Sequence, residues 1–116
     1  MEGRTVDDLT VIARRHPEHT VITVAGELDL ETCPALAQAA FAEPLGGMTL
    51  HLELSGVSFM DSSGLNLLLQ LHQRLDAEGG RLLVSGLQDQ PARVLHLTGA
   101  YDVLVADTAE LSPAQL

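Results

Sequence analysis

Residues 48–77, MTLHLELSGVSFMDSSGLNLLLQLHQRLDA, contain a strand pattern, a polar turn and a helix pattern in immediate succession. In residues 48–54, methionine and leucine alternate with polar residues, which is the period of a strand with one buried face. From Leu65 to Leu75 the apolar residues recur every three or four positions, which predicts a helix with a broad apolar face. This strand–turn–helix unit is the clearest structural signal in the chain, and it favours an α/β fold.

The turn Asp61-Ser62-Ser63-Gly64, called the serine turn below, places two hydroxyl groups at the predicted start of the helix. The first N–H groups of a helix lack partners within the helix, so such a turn suits an oxygen ligand or a phosphate. Serine is also a preferred helix cap, so capping alone is an alternative role for both side chains. A hydrolase nucleophile is not indicated, because neither serine lies in a Gly-x-Ser-x-Gly motif.

Two strands are predicted before this unit, at residues 9–13 and 20–25. The turn at Pro17-Glu18 that joins them is short, so the two strands should run antiparallel. Gly26 is expected to end the second strand, because glycine weakens strands.

A helix is then predicted with Pro34 in its first turn, Thr32 as a possible cap and an end near residues 44–47. After residue 77 the pattern predicts a strand at 81–85, a helix from Pro91 to Leu97 ended by Gly99, a strand at 102–106 and a short helical tail from Thr108 to Leu116.

This order predicts one α/β domain over residues 1–116: an N-terminal antiparallel hairpin joined to a mostly parallel sheet of about five strands. The polar side of residues 48–54 predicts helices mainly on one face of the sheet. Loops that follow parallel strands meet at one edge, where such folds place their ligands. If their strands are neighbours, Glu27, Asp29 and Asp61 should converge near the two serines.

The charge balance narrows the possible functions. Six Lys+Arg, all of them arginine, stand against 16 Asp+Glu, for a formal net charge of -10. Because an acidic surface repels phosphate backbones and anionic lipids, we expect no nucleic-acid partner and no membrane partner. Without lysine, a Walker A phosphate loop and Schiff-base catalysis are excluded.

No metal site, cofactor or disulfide is predicted. Glu27, Asp29 and Asp61 carry oxygen ligands that suit hard cations, but solvated loop acids are the favoured interpretation. Cys33 is the single cysteine, which excludes an internal disulfide and indicates a reducing cytoplasm. It lies near a helix start, and we expect it to serve as a small buried hydrophobic residue.

Three short segments are informative because of their order and spacing along the chain. They are GELD at residues 26–29, SFMDSSGL at 58–65, and RVLHLTG at 93–99 followed by Tyr101-Asp102-Val103. In these segments the chain resembles the STAS family, in the branch of bacterial anti-sigma factor antagonists. SFMDSSGL resembles the family's phosphorylation loop and GELD its second landmark. The third segment resembles the helix, glycine and last strand with which the family ends. Together the segments span nearly the whole chain.

The resemblance implies a partner-switching regulator rather than an enzyme. The unphosphorylated antagonist would bind an anti-sigma factor that is also a serine kinase. That kinase would phosphorylate Ser62, with Ser63 as the second candidate, and a serine phosphatase would reverse the modification. The residues implied in partner binding or in the phosphorylated loop are Gly26, Glu27, Asp29, Asp61, Ser62, Ser63, Gly64, Leu65 and Asn66.

The family often has a small residue at the position of Asn66. This difference concerns which partner the domain docks with more than it concerns the fold. One alternative is a STAS scaffold or transport-accessory subunit that is never phosphorylated. Another is a nucleotide-binding or phosphotransfer enzyme, which the missing lysine and the absence of a glycine-rich phosphate loop disfavour.

Overall fold

The protein is described here by a computed structural model that covers residues 2–6, 9–42 and 48–110. The first helix ends at Ala40, earlier than the predicted end near 44–47. Residues 43–47, and residues 111–116 of the predicted tail, lie outside the described residues. The described elements, in chain order, are β1 Glu2–Val6, β2 Leu9–Arg15, β3 His19–Leu28, α1 Cys33–Ala40, β4 Thr49–Met60, α2 Ser62–Ala77, β5 Arg81–Ser85, α3 Asp89–Thr98 and α4 Tyr101–Glu110.

The described strands form one mixed sheet in the order β1-β2-β3-β4-β5. β1 pairs with β2 and β2 with β3 antiparallel, whereas β3 pairs with β4 and β4 with β5 parallel. The α/β class and the antiparallel hairpin are therefore confirmed. Beyond the hairpin, β3, β4 and β5 run parallel as predicted, and the described sheet has five strands. Its membership differs from the prediction, because β1 is an additional antiparallel strand and residues 102–106 do not form a strand.

That predicted strand, residues 102–106, lies in helix α4. Val103 and Val105 alternate as in a strand, but Tyr101, Leu104 and Val105 also share one side of a helix. Leu104 is fully buried, and the N–H groups of Val103 and Leu104 donate to the carbonyl oxygen of Ala100. The sequence of this segment fits both the strand period and the helix period, and packing of Leu104 in the core selects the helix.

The core lies on one face of the sheet. Along β4, Leu50, Leu52 and Leu54 are buried, while the residues between them are half-exposed, as the alternation predicts. Leu36, Leu71, Leu95 and Leu104, one from each of α1 to α4, belong to the same buried cluster as these strand residues. The helices therefore pack on the buried face, and the polar face of the sheet stays partly open to water.

Helix α2 has the inner face that its sequence predicts, with Leu67 and Gly64 added to the buried residues and His72 only half-buried. Gly99 ends α3 with φ 79°, a left-handed conformation that glycine adopts without strain. Among the described residues, no helix is both long enough and apolar enough to cross a membrane.

Strands β3 and β4 both run further than predicted, and this positions the site. β3 continues through Gly26 to Leu28, so the predicted break is wrong. Gly26 has φ 116° beside a shift in the β3–β4 register, so it bends the strand without ending it. β4 reaches Met60, which pairs with Leu28, so both strands end at the same level.

Candidate functional site

Asp61 links the end of β4 to the start of α2 and caps the helix. Its backbone is extended, with φ −108° and ψ −171°, and its Oδ1 accepts hydrogen bonds from the N–H groups of Ser63, at 2.8 Å, and Gly64, at 3.3 Å. Two helix-start donors are thereby satisfied by a carboxylate. The alternative in which the serines are present only as caps is wrong, because the capping residue is Asp61.

The two serines differ in exposure. Ser62 is the first residue of α2 and is exposed, whereas Ser63 is half-buried. A second protein can reach the Ser62 side chain without any rearrangement of the fold.

The GELD segment (residues 26–29) lies beside the serine turn. In the parallel register, Glu27 is opposite Phe59 and Leu28 is opposite Met60. The N–H of Asp61 donates to the carbonyl oxygen of Leu28 at 3.2 Å. The two segments therefore meet at one edge of the sheet, as expected for loops that follow neighbouring parallel strands.

A hydrogen-bonded turn fixes the end of the GELD segment. The buried Thr32 Oγ1 donates to the carbonyl oxygen of Glu27 at 2.7 Å and accepts from the N–H of Asp29 at 2.9 Å. Asp29 Oδ1 accepts from the N–H of Glu31 at 3.0 Å. Thr32 precedes α1, but its side chain makes no capping bond to that helix because it is turned back towards Glu27. Thr32 is thus the N-cap residue of α1, as predicted, but its side chain does not bond to the helix.

Gly64 allows the first turn of α2 to pack closely on the ends of both strands. A Cβ atom at this position would lie 2.8 Å from Met60 Cγ and 3.0 Å from Leu28 Cγ. Met60 and Leu28 are both fully buried, so neither side chain can swing out into solvent.

We expect Gly64→Ala to lower the free energy of unfolding by about 1–3 kcal/mol, the usual cost of forcing a methyl group into a packed site. On an exposed helix the same change would instead gain about 0.5–1 kcal/mol. Urea unfolding measures the difference. Introducing Met60→Ala as well should make Gly64→Ala less costly, because the space is then open. A Gly64→Ala variant as stable as the parent would contradict the close approach.

The remaining predicted loop residues separate by burial. Leu65 is only 6% exposed, so its side chain belongs to the core and cannot contact a partner. Asn66 and Glu27 are exposed, while Asp29 and Gly26 are partly exposed. The exposed residues among these predicted loop residues are polar, and Leu65 holds the helix in place.

Two exposed apolar residues at this end of the sheet were missed from the sequence. Leu30, directly after the GELD segment, is 73% exposed, and Phe59, opposite Glu27, is 40% exposed. No regular pattern marked Phe59, because the buried positions of β4 alternate only as far as Leu54 and then fall at Val57 and Met60. Both add apolar contact area near the serine turn.

The sequence matches the family model described as "Mlab, STAS domain" over residues 11–106. The chain belongs to the STAS domain family. An anti-sigma-B factor antagonist from Listeria monocytogenes is 32% identical over 100 residues, which cover 85% of this chain and 88% of that protein.

Two solved structures resemble this STAS domain. An anti-sigma factor antagonist from Mycobacterium paratuberculosis matches with a TM-score of 0.68 and 32% identity, covering 83% of this chain and 82% of the other. The unphosphorylated form of the anti-sigma factor antagonist SpoIIAA shares the fold, with a TM-score of 0.66 and 24% identity over 86% and 93% of the two chains. The resemblance predicted from the sequence is confirmed.

Cys33 of the STAS domain begins α1, half-buried against the core. Burial, together with the smaller effects of the negative charges of Asp61 and Asp29, raises the pKa of its thiol from the usual 9.0 to about 11. The thiol therefore stays protonated at neutral pH. Both carboxylates act on one atom, which places the two loops in a common electrostatic environment.

In the part of the chain that the structure describes, no group of three or more His, Cys, Asp or Glu side chains is arranged to hold a metal ion. Near the serine turn, the carboxylates of Asp61 and Asp29 accept hydrogen bonds from backbone N–H groups.

Two glutamines of the STAS domain contact β4, and sequence reasoning did not single them out. Gln88 Nε2 donates to the carbonyl oxygen of Ser55 at 2.7 Å. The Gln90 side chain bonds to both backbone groups of Met60. Glutamines near a helix start carry no distinctive pattern, so only the folded chain reveals these contacts.

Proposed function

We propose that this STAS domain is an anti-sigma factor antagonist, and that phosphorylation of Ser62 releases its partner. The observation that carries the proposal is the exposure of Ser62 at the start of α2, beside the GELD segment. The names of the curated relative and of the similar structures support the antagonist role. In this proposal the partner is an anti-sigma factor with serine kinase activity, and a serine phosphatase restores binding.

Residues 1–116 act in this proposal as one STAS domain, of which residues 11–106 match the family model. The domain works as a regulator and as a substrate of the kinase, not as a catalyst. Its proposed location is the cytoplasm, where sigma factors and their kinases meet.

Exposure favours Ser62 over Ser63 as the phosphorylated residue. A kinase must bring the hydroxyl into its own active site, which the exposed Ser62 permits and the half-buried Ser63 resists. The Ser63 N–H is also held by Asp61, so a movement of the Ser63 backbone into a kinase site would break the helix cap.

Because Asp61 already caps α2, the charge of a phosphate on Ser62 would not be neutralised by the helix N–H groups. A phosphate carries about −1.5 to −2 charges at neutral pH. The N–H groups of Ser63 and Gly64 that could bind it are already occupied by Asp61. The phosphate would therefore stand beside a carboxylate, on a chain of formal net charge -10, without those donors to neutralise it.

The unphosphorylated surface has the composition of a protein contact site. Leu30 and Phe59 are exposed apolar residues of the two segments that lead to this edge of the sheet, and Ser62 and Asn66 are exposed polar residues at the start of α2. Interfaces combine apolar anchors that exclude water with polar groups that set the register. A charge placed among such residues must lose its water when the partner binds, which is unfavourable without a cationic partner.

Phosphosite mapping tests the proposal. The chain is co-expressed with serine kinases of the anti-sigma factor class from the same genome and analysed by intact mass. We expect one phosphate, mapped to Ser62, lost in Ser62→Ala and kept in the matched control Ser63→Ala. Phosphate on Ser63 alone would contradict the assignment. No phosphate with any of these kinases would favour the scaffold alternative.

A further inference from the structure

The half of β4 that leads to the serine turn extends beyond its neighbour β5. β5 pairs with β4 from Thr49 to Glu53, where β5 ends at Ser85. The rest of β4, as far as Met60, pairs with β3 on its other side. Backbone N–H and C=O groups along such an edge need other partners, because leaving them unpaired is costly.

Gln90, near the start of α3, takes the place of the missing strand at Met60. Its Oε1 accepts from the Met60 N–H at 2.8 Å, and its Nε2 donates to the Met60 carbonyl oxygen at 3.0 Å. The primary amide of glutamine has a carbonyl acceptor and N–H donors in one plane. A residue in a neighbouring strand likewise offers one backbone acceptor and one backbone donor. Gln90 thus holds Met60 as a one-residue strand would.

We propose that Gln90 is a positioning residue for the serine turn. Met60 directly precedes Asp61, whose N–H is bound by Leu28 and whose carboxylate caps α2. The start of α2, and with it the Ser62 hydroxyl, is therefore fixed from two sides, by β3 through Leu28 and by α3 through Gln90. The consequence for phosphorylation rests on the proposed function, whereas the consequence for the order of the turn does not.

Gln88 provides a matched control. It is the same residue type, lies two positions earlier, and also bonds to β4, but at Ser55 rather than Met60. Gln88→Met and Gln88→Glu repeat the changes of shape and charge made by Gln90→Met and Gln90→Glu, away from the serine turn. The Gln88 variants therefore control for a change of residue type at the start of α3 and for loss of a contact to β4 away from Met60.

Amide hydrogen exchange on the whole chain is the first measurement. We expect Gln90→Met to speed exchange at Ser63 and Gly64 about tenfold, because their bonds to Asp61 depend on the position of Met60. Gln90 touches neither N–H, so this effect is not a simple loss of its own contact. Gln88→Met should leave both amides unchanged. Gln90→Glu keeps an acceptor for the Met60 N–H but turns a carboxylate oxygen towards the Met60 carbonyl oxygen, so it should speed exchange at least as much as Gln90→Met.

Phosphorylation kinetics are the second measurement, with the kinase that modifies the wild-type chain. We expect Gln90→Met to lower kcat/KM about tenfold, mainly through KM because the ordered turn must then form on binding, at a temperature where Gln90→Met and Gln88→Met are both fully folded. Equal exchange in the Gln90→Met and Gln88→Met variants would overturn the proposal. So would altered exchange with unchanged kinetics. If no kinase modifies the wild type, the proposed function fails, and the exchange data still decide whether Gln90 orders the turn.

Discussion

Ser62→Asp is expected to weaken anti-sigma factor binding while leaving the thermal midpoint nearly unchanged. A charge left unpaired in an interface costs roughly 2–5 kcal/mol, which is a factor of roughly tens to thousands in affinity. The fold should not suffer, because Ser62 is exposed and surface substitutions usually change stability by no more than about 0.5 kcal/mol. A negative charge in the first turn of a helix is moreover favourable towards the helix dipole.

Calorimetric titration with the purified anti-sigma factor measures this effect, and two variants control it. Ser62→Ala removes the hydroxyl without adding charge and should bind as wild type does. Ser63→Asp places the same charge one residue further on, at a half-buried position, and should lower stability as well as affinity. If the loss in Ser62→Asp arises from repulsion across exposed surface, it should shrink as salt is added. Wild-type affinity in Ser62→Asp would show that charge is not the release mechanism.

The parts of the site that the sequence predicted are those that depend on local pattern and on general rules of topology. The strand, turn and helix of residues 48–77 follow from periodicities that lie within a few residues of one another. The meeting of the GELD segment with the serine turn follows from the pairing of neighbouring parallel strands. Neither inference requires knowledge of which side chains touch.

The parts that could not be predicted depend on contacts between distant residues. Residues 101–105 satisfy both a strand and a helix pattern, and only packing of Leu104 in the core selects the helix. Asp61 and Ser62 are both good caps, and the extended backbone at Asp61 decides between them. The Gln90–Met60 contact joins residues thirty positions apart, through a residue type that no periodicity marks.

Alkylation of Cys33 by iodoacetamide is expected to be about a hundredfold slower at pH 8 in the folded chain than in the urea-unfolded chain. A pKa raised from 9.0 to about 11 lowers the reactive thiolate fraction by that factor. The rate in the folded chain should keep rising as the pH passes 9, towards a midpoint near 11, whereas the unfolded chain reaches its plateau earlier. Steric protection alone would lower the plateau and leave the midpoint unmoved, so the pH profile separates the two causes.

The same reaction tests whether the two loops meet in solution. Burial is the largest cause of the raised pKa, followed by Asp61 and then Asp29. Asp61→Asn keeps an acceptor for the helix cap but removes the charge, and should lower the thiol pKa and speed alkylation several-fold. Glu31→Gln removes an equal charge from an exposed position two residues from Cys33, and should change little because solvent screens it. Equal rates in the Asp61→Asn and Glu31→Gln variants would mean that the serine turn lies too far from α1 for Ser62 and the GELD segment to form one surface.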